Sequence, residues 1–131
     1  HFGLVHRSRV RQVQRLAEFI AATVPAAEPL IVAGDFNDWG ERLDAPMREM
    51  GLARALGDVG QARRRLTFPS RALGESSRPR RRLTFPSRVP VFALDRIYTR
   101  GLACRSTYVP RGTAWARMSD HLPLVAEFEA E

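Results

Sequence analysis

Three short motifs that set carboxylates beside apolar residues constrain the fold of this 131-residue chain more than any other feature. They are Gly34-Asp35-Phe36-Asn37, Leu94-Asp95-Arg96-Ile97 and Ser119-Asp120-His121. Hydrophobic residues just before a polar cluster indicate a buried strand that delivers its last residues to an open edge. We therefore expect three strands to bring one set of polar side chains together: Asp35, Asn37, Asp95, Asp120 and His121.

The side chains of this set favour phosphate chemistry. Carboxylate and amide oxygens suit a hard cation such as Mg²⁺. An adjacent Asp and His suit orientation and charge stabilisation around a phosphate. Phosphodiesters resist hydrolysis because their negative charge shields the phosphorus and the leaving group is poor, and a divalent metal assists with both. The motifs therefore predict a metal-dependent phosphoester hydrolase.

In this order, the three motifs resemble the endonuclease/exonuclease/phosphatase superfamily, which includes DNase I-like nucleases, abasic-site nucleases, sphingomyelinases and inositol phosphatases. The resemblance extends from His1-Phe2-Gly3-Leu4 to Leu122-Pro123-Leu124-Val125. It implies an α/β fold, part of a four-layer sandwich with a mixed sheet and flanking helices. Because the family domain is usually much longer, residues 1–131 resemble its C-terminal half only and are expected to form a partial domain.

The resemblance also implies a role for each matching residue. Asp35 would orient and deprotonate the attacking water, and Asn37 would help to place that water and the phosphate oxygens. Asp120 would approach the metal, Mg²⁺ or Mn²⁺, with Asp35 and Asn37 as further ligands. His121 would contact the scissile phosphate, while Asp95 would accept its other imidazole N–H and favour the charged imidazole.

Further candidate residues surround the motifs. His1 heads a His-x-Gly-Leu segment, and the histidine at that place assists the leaving group in some family members. Arg9 and Gln12 match an Arg-x-x-Gln pattern that braces the site, although an exposed helix face would carry the same residues. Trp39 either lines the substrate cleft or anchors its loop, and the same two alternatives hold for Trp115.

Each of the main assignments has a plainer alternative. The Gly34–Asn37 loop could use its polar side chains only for turn hydrogen bonds. His121 could be a capping or core histidine, and Asp95 could form an ion pair with Arg96 or Arg100. The order of the three motifs in one chain favours the catalytic assignments.

One expected part of the family pattern does not occur in this sequence. Family members carry an early Asn and an early Glu in the first sheet, and that Glu is a principal metal ligand. Asp35 and Asp120 alone would form an open, weak metal site. The resemblance therefore implies that the rest of a longer enzyme, or a second chain, supplies the missing half. The alternative is a non-catalytic fragment that binds anions or nucleic acid.

The positive charge of the chain is concentrated in one segment. The net charge is +7, and residues 61–88 hold nine arginines and one acid. This segment contains the same nine residues twice, at Arg63–Arg71 and Arg80–Arg88, and we interpret the first copy as an exposed loop insertion. The arginines favour a polyanionic partner, either a nucleic acid or a phospholipid headgroup.

Periodicity predicts two helices. Apolar residues at helical spacing predict one helix over 8–24, with Ser8 as its N-cap and Pro25 as its stop. A shorter helix is expected near 44–50, with Asp44 as its cap.

Four strands complete the predicted elements. The continuous apolar run Leu30–Ala33 predicts a strand buried on both faces. Three more are expected over 93–99, 103–109 and 122–128, and the last alternates between apolar and polar residues. No apolar run approaches the roughly 18 residues of a membrane span, and one cysteine excludes an internal disulfide. The cellular location is left open, with the cytoplasm as the default expectation.

Overall fold

The computed structural model describes residues 2, 6–56 and 81–130, which form sheets with flanking helices and confirm the α/β class. His1, residues 3–5 and residues 57–80, which include the first copy of the Arg-rich repeat, lie outside the described part. The elements follow in the order α1 (His6–Thr23), β1 (Leu30–Asp35), α2 (Asp44–Glu49), β2 (Ala53–Arg54), β3 (Asp95–Arg100), β4 (Leu102–Tyr108), α3 (Thr113–Met118) and β5 (Val125–Ala130).

The described strands form two sheets. One has the spatial order β1-β3-β2, and the other pairs β4 with β5. Every pair between these strands is antiparallel, whereas the sequence predicted a mixed sheet. The reason is topological. A connection that contains α2 joins β1 to β2, and these two strands run in the same direction. They lie on either side of β3, however, so they are not neighbours in the sheet.

The helix α1 supplies one side of the core. Val13 and Ile20 lie seven residues, and thus about two turns, apart and are buried in one cluster with residues of α2 and β3. The helix begins at His6, so the prediction of Ser8 as N-cap is wrong, because Ser8 already lies within the first helical turn. It ends just before Pro25, as predicted. None of the helices in the described residues is long and apolar enough to cross a membrane.

The short helix α2 lies where it was predicted, but its predicted cap is wrong. Leu43 occupies the N-cap position and makes no side-chain capping bond. Asp44 lies in the first helical turn instead, where it accepts a hydrogen bond from the Tyr98 hydroxyl at 2.5 Å and pairs with Arg54 at 3.2 Å. Gly51, with a φ of 75°, lets the chain turn away after the helix.

The strand β1 is buried on one face only, which corrects the prediction of a strand buried on both faces. Leu30 and Val32 pack against the core cluster, whereas Ile31 is 47% exposed. Successive residues of a strand point to opposite faces, so the apolar run serves a core on one side and an uncovered face on the other.

The C-terminal strands agree with the predicted pattern, although β5 begins later than expected. Half-buried Ala126 and Phe128 alternate with exposed Glu127 and Glu129 along β5. Two elements were not predicted from the sequence. The strand β2 is too short to show a period, and α3 buries no residue and therefore has no apolar stripe.

A fully buried ion pair joins the loop after β1 to β3. Arg96 Nη1 lies 2.7 Å from Asp38 Oδ2, Arg96 Nη2 donates to the Asp38 carbonyl oxygen at 2.8 Å, and both side chains are 0% exposed. Burial raises the pKa of Asp38, but the Leu43 N–H and Arg96 hold that pKa below its ordinary value. The pair therefore fastens this loop to the sheet.

Removal of Arg96 tests how much this pair stabilises the fold. Arg96→Leu leaves the Asp38 carboxylate buried without its partner, and we expect it to lower the free energy of unfolding by about 3–5 kcal/mol. Arg15→Ala, which breaks the exposed pair with Glu18, is the control and should change that free energy by less than about 0.5 kcal/mol. Urea unfolding at pH 7 measures both, and equally small losses would contradict the assignment.

Candidate active site

Phe36 holds the loop after β1 in place. Its side chain is buried, its ring stacks on that of Phe2 at 4.9 Å, and it meets Tyr98 edge-on at 5.1 Å. The Phe36 N–H donates to the Leu94 carbonyl oxygen at 2.9 Å. The apolar residue in the middle of the first motif is therefore the anchor that positions the polar residues on either side of it.

A short turn joins Asp35 to Asn37. The Asn37 N–H donates to Asp35 Oδ1 at 2.9 Å, and the Asn37 side-chain amide donates to the Phe2 carbonyl oxygen at 2.7 Å. Asn37 is 4% exposed and has a φ of 47°, in the left-handed region that Asn tolerates better than most residues. The turn hydrogen bond is therefore present, and it orients the Asp35 carboxylate.

Asp95 and His121 form the central pair of the site. His121 Nδ1 lies 2.7 Å from Asp95 Oδ2. Asp95 begins β3 directly opposite Asp35 in the register of β1 and β3. The alternative ion pair of Asp95 with Arg96 or Arg100 is wrong, because those arginines bind a different carboxylate and main-chain carbonyl oxygens.

Main-chain hydrogen bonds hold the turn that carries Asp120 and His121. The Ser87 N–H donates to the Asp120 carbonyl oxygen at 2.7 Å, and the Leu122 N–H donates to the Thr84 carbonyl oxygen at 2.8 Å. Adjacent residues of an extended strand point to opposite faces, so a turn is needed for both side chains to serve one site. The segment around Thr84 and Ser87 supplies that constraint.

Carboxylates on three sequence segments act on His121. Burial lowers the pKa of His121, but its bond to Asp95 and the charges of Asp95, Asp35 and Asp120 raise that pKa above its ordinary value. The imidazolium form is therefore more favoured than in a free histidine, and this is the form that donates hydrogen bonds from both ring nitrogens.

An aromatic cluster borders the pair. The Phe85 ring lies 4.8 Å from the His121 ring, and Trp39 packs edge-on against Phe92 at 4.6 Å and against Phe85 at 6.0 Å. Trp39 is still 46% exposed. Trp39 thus anchors its loop through ring contacts. The Phe85 ring, which contacts both Trp39 and His121, lies between the two side chains.

A cavity of about 450 Å³ opens at the pair. Asp95 and His121 lie in its lining together with apolar side chains, among them Ile97, Trp115 and Leu124. Trp115, which is 40% exposed, thus lines this cavity. A concave, mainly apolar space with a few polar groups is the usual form of a small-molecule site.

The remaining predicted residues are placed differently from one another. Arg9 on α1 is buried at 7% exposure, whereas Gln12 is on the exposed part of the same helix. His1 lies outside the described residues. The residues of the three motifs, in contrast, lie close together: Asp35, Asn37, Asp95, Asp120 and His121.

The donor set of the described residues does not complete a metal site. Asp35 and Asp120 offer hard oxygen ligands of the type that Mg²⁺ takes. Within residues 6–56 and 81–130, however, no group of three or more His, Cys, Asp or Glu side chains is arranged to hold a metal ion.

Sequence reasoning missed the residues that support the site. Asp38 and Arg96 fasten the first loop, and Thr84 and Phe85 contact the other two motifs. One signal for Arg96 was present: strand alternation places it on the same face as the core residue Tyr98. A charged residue on a core face requires a buried partner.

Comparison with known proteins identifies the family. A sequence model of the Endonuclease/Exonuclease/phosphatase family matches residues 1–121. The chain belongs to this family. The match includes all three motifs, so the recognition from the motifs is confirmed.

The chain is also similar to curated bacterial proteins. It is 37% identical over 128 residues to the uncharacterized protein YbhP of Escherichia coli K12 and, with the same values, to YbhP of Shigella flexneri. The similar region covers 97% of this chain and 43% of each relative. The chain thus spans less than half the length of these relatives.

Solved structures show the same fold. A functionally unknown conserved protein from Enterococcus faecalis is similar with a TM-score of 0.70 and 19% identity, over 100% of this chain and 48% of that one. A humanized D. rerio TDP2 gives 0.56 and 17% over 95% and 49%, and a Bacteroides thetaiotaomicron mannosyl-6-phosphatase gives 0.57 and 16% over 95% and 47%. The DNase I-like α/β fold predicted from sequence is therefore confirmed.

The pair of Asp95 and His121 makes a pH-dependent prediction. Asp95→Asn should lower the pKa of His121, measured by an NMR titration of the histidine ring resonances assigned with His121→Gln. The pKa of His121 is raised in the folded state. The pair therefore stabilises the fold fully at pH values below the unfolded-state pKa of about 6.5. This stabilisation is lost as pH rises through the folded-state pKa. The stability difference from wild type should therefore be largest near pH 6 and fade at higher pH.

The control for this titration is Glu18→Gln, which removes an exposed carboxylate on α1. It should leave the His121 titration unchanged. An equal His121 midpoint in wild type and Asp95→Asn would contradict the pairing.

Proposed function

We propose that the chain is the catalytic portion of a phosphodiesterase- or nuclease-type phosphoester hydrolase. The observation that carries this proposal is the Asp95–His121 pair at 2.7 Å, at the sheet edge where Asp35 lies opposite Asp95. A raised imidazole pKa beside an oriented carboxylate suits a reaction that needs one cationic donor and one base.

Each residue has a role in this proposal. Asp35 orients the attacking water and accepts its proton, and the turn with Asn37 fixes the carboxylate while Asn37 helps to place the phosphate oxygens. His121 donates from its second ring nitrogen to a phosphate oxygen and stabilises the charge that develops there. Asp95 keeps His121 protonated and fixes its orientation.

Four residues receive supporting roles in the same proposal. His1 assists the departing alkoxide, and Arg9 and Gln12 on α1 brace the site. Trp39 borders the substrate through its exposed face. The substrate is a phosphoester of a nucleic acid or of a phospholipid headgroup, for which the arginine-rich composition is the support.

The proposed cofactor is Mg²⁺ or Mn²⁺, with Asp120, Asp35 and Asn37 among its ligands. When bound, a divalent cation would neutralise phosphate oxygens. Because the described side chains do not complete a metal site, the remaining ligands would come from other parts of a longer protein or from a second chain. The 43% coverage of YbhP supports such a longer protein.

Hydrolysis of bis-p-nitrophenyl phosphate, compared with p-nitrophenyl phosphate, tests the proposal. In the presence of the part that supplies the remaining metal ligands, we expect Mn²⁺-dependent cleavage of the diester. We expect Asp35→Ala and His121→Ala each to lower kcat/KM by about 10²-fold or more, since each removes a group that acts in proton transfer or charge stabilisation. Glu18→Gln should retain wild-type activity. Equal rates in wild type and both alanine variants would refute the assignment of these residues.

A second candidate function is that of a non-catalytic module that binds anions or nucleic acid. The specific observation in its favour is the incomplete metal site among the described residues. This function predicts oligonucleotide binding that weakens steeply with salt, without turnover in Mn²⁺. Metal-dependent turnover that is lost in His121→Ala would exclude it.

A further inference from the structure

A second cavity, of about 520 Å³, adjoins the candidate active site. Three arginines and two hydroxyl residues line it, and they come from two separate segments of the chain. Its polar lining and its shared apolar wall consist of Ser87, Arg88, Arg111, Thr113, Arg117 and Leu122. No acidic residue is part of the lining that the structure describes.

The three arginines that line this cavity are all exposed to solvent. Arg54, Arg81 and Arg96 each lie within 4 Å of an acid. Within the described residues, the guanidinium groups that line this cavity form no ion pair. Like charges that line one cavity without a counter-charge repel one another, and a bound anion would reduce that repulsion.

Structural links connect this cavity to the Asp120–His121 turn. Leu122 lies in the lining of both cavities. Ser87, which is buried, donates its N–H to the Asp120 carbonyl oxygen at 2.7 Å and its hydroxyl to the Ala116 carbonyl oxygen at 3.4 Å. The two cavities therefore share Leu122, and Ser87 on the arginine side is bonded both to the Asp120–His121 turn and to α3.

We infer that Arg88, Arg111 and Arg117 form a phosphate-binding subsite that holds a second phosphate group of the substrate while the first is cleaved at His121. Guanidinium groups bind phosphate oxygens through paired hydrogen bonds and keep their charge at all physiological pH values. In the active site Asp95 binds His121 and lies opposite Asp35, so the adjoining cavity with its arginines is where an additional phosphate is favoured. This inference rests on the proposed hydrolase function.

The test compares two substrates that differ by one phosphate. The 5′-(p-nitrophenyl) ester of thymidine 5′-phosphate carries one phosphate, and the same compound with a 3′-phosphate carries two. Both release p-nitrophenol, so the leaving group is constant. We expect the second phosphate to raise kcat/KM by about tenfold or more at low salt, because it adds charge-assisted hydrogen bonds to arginine.

The variant is Arg88→Gln/Arg117→Gln, and the charge-matched control is Arg11→Gln/Arg48→Gln, which removes two exposed arginines from α1 and α2. The subsite variant should lose the preference for the two-phosphate substrate and retain its kcat/KM for the one-phosphate substrate. The control should retain the preference. An unchanged preference in the subsite variant, or an equal loss in the control, would overturn the inference.

A binding arm separates failure of the subsite from failure of the hydrolase function. Titration of inorganic phosphate into the ¹⁵N-labelled chain should shift arginine Nε–Hε resonances, and Arg88→Gln/Arg117→Gln should weaken this binding at least tenfold while the control changes it less than twofold. In the presence of the part that supplies the remaining metal ligands, binding without release of p-nitrophenol would refute the proposed hydrolysis and retain the anion site. Equal binding in both variants would overturn the subsite, whatever the activity.

The source of the second phosphate is settled by competition. Oligothymidylate and inositol 1,4-bisphosphate are each used to displace the bound phosphate from the wild-type chain. Stronger displacement by the oligonucleotide identifies a nucleic-acid backbone, and stronger displacement by the inositol compound identifies a phosphorylated headgroup. Displacement by neither compound would overturn the inference that the subsite serves a substrate with two phosphates.

Discussion

The buried pair of Arg96 and Asp38 is the interaction on which the arrangement of the site depends. Neither side chain is exposed, and the two together make a salt bridge and a bond to the Asp38 main chain. A buried charge without its partner costs several kcal/mol, so the loop after β1 has one favourable position relative to β3. Asp35 and Asn37 precede Asp38 directly and are therefore held in that position as well.

The strand β3 divides two tasks between adjacent residues. Asp95 faces the candidate active site and binds His121, whereas Arg96 turns to the opposite face and binds Asp38. Alternation along a strand makes this division possible in two consecutive positions. The Leu-Asp-Arg-Ile motif thus combines a functional residue with the residue that stabilises the surrounding fold.

The sequence was sufficient for the parts of the fold that follow from local pattern and short motifs. The α1 helix, the strands β1, β3 and β4 and the pairing of Asp95 with His121 could be predicted, because apolar runs and the family motifs specify them. The partner of Arg96 could not be predicted, since it lies 58 positions away and any acid would have suited the pattern. Asp44 was misassigned for the same reason: a cap is a local preference, whereas its bond to Tyr98 depends on tertiary structure.

Charge is separated across a short distance in this molecule. Carboxylates of Asp35, Asp95 and Asp120 act on His121, while arginines line the adjoining cavity without an acid. A polyanion that approaches this surface is attracted to one side and repelled from the other unless a cation is present. The two cavities therefore give an elongated substrate a preferred direction.

The antiparallel register of β1 and β3 has a consequence for how this protein can change over time. Asp35 lies opposite Asp95, and Ile31 and Val32 take opposite faces of the same strand. A shift of β3 by one residue would turn Asp95 inward and Arg96 outward, and a shift of β1 by one residue would expose Leu30 and Val32. Insertion or deletion of a single residue in β1 or β3 would therefore disrupt the core and the site together. Selection can change the site along these strands only by substituting residues in place.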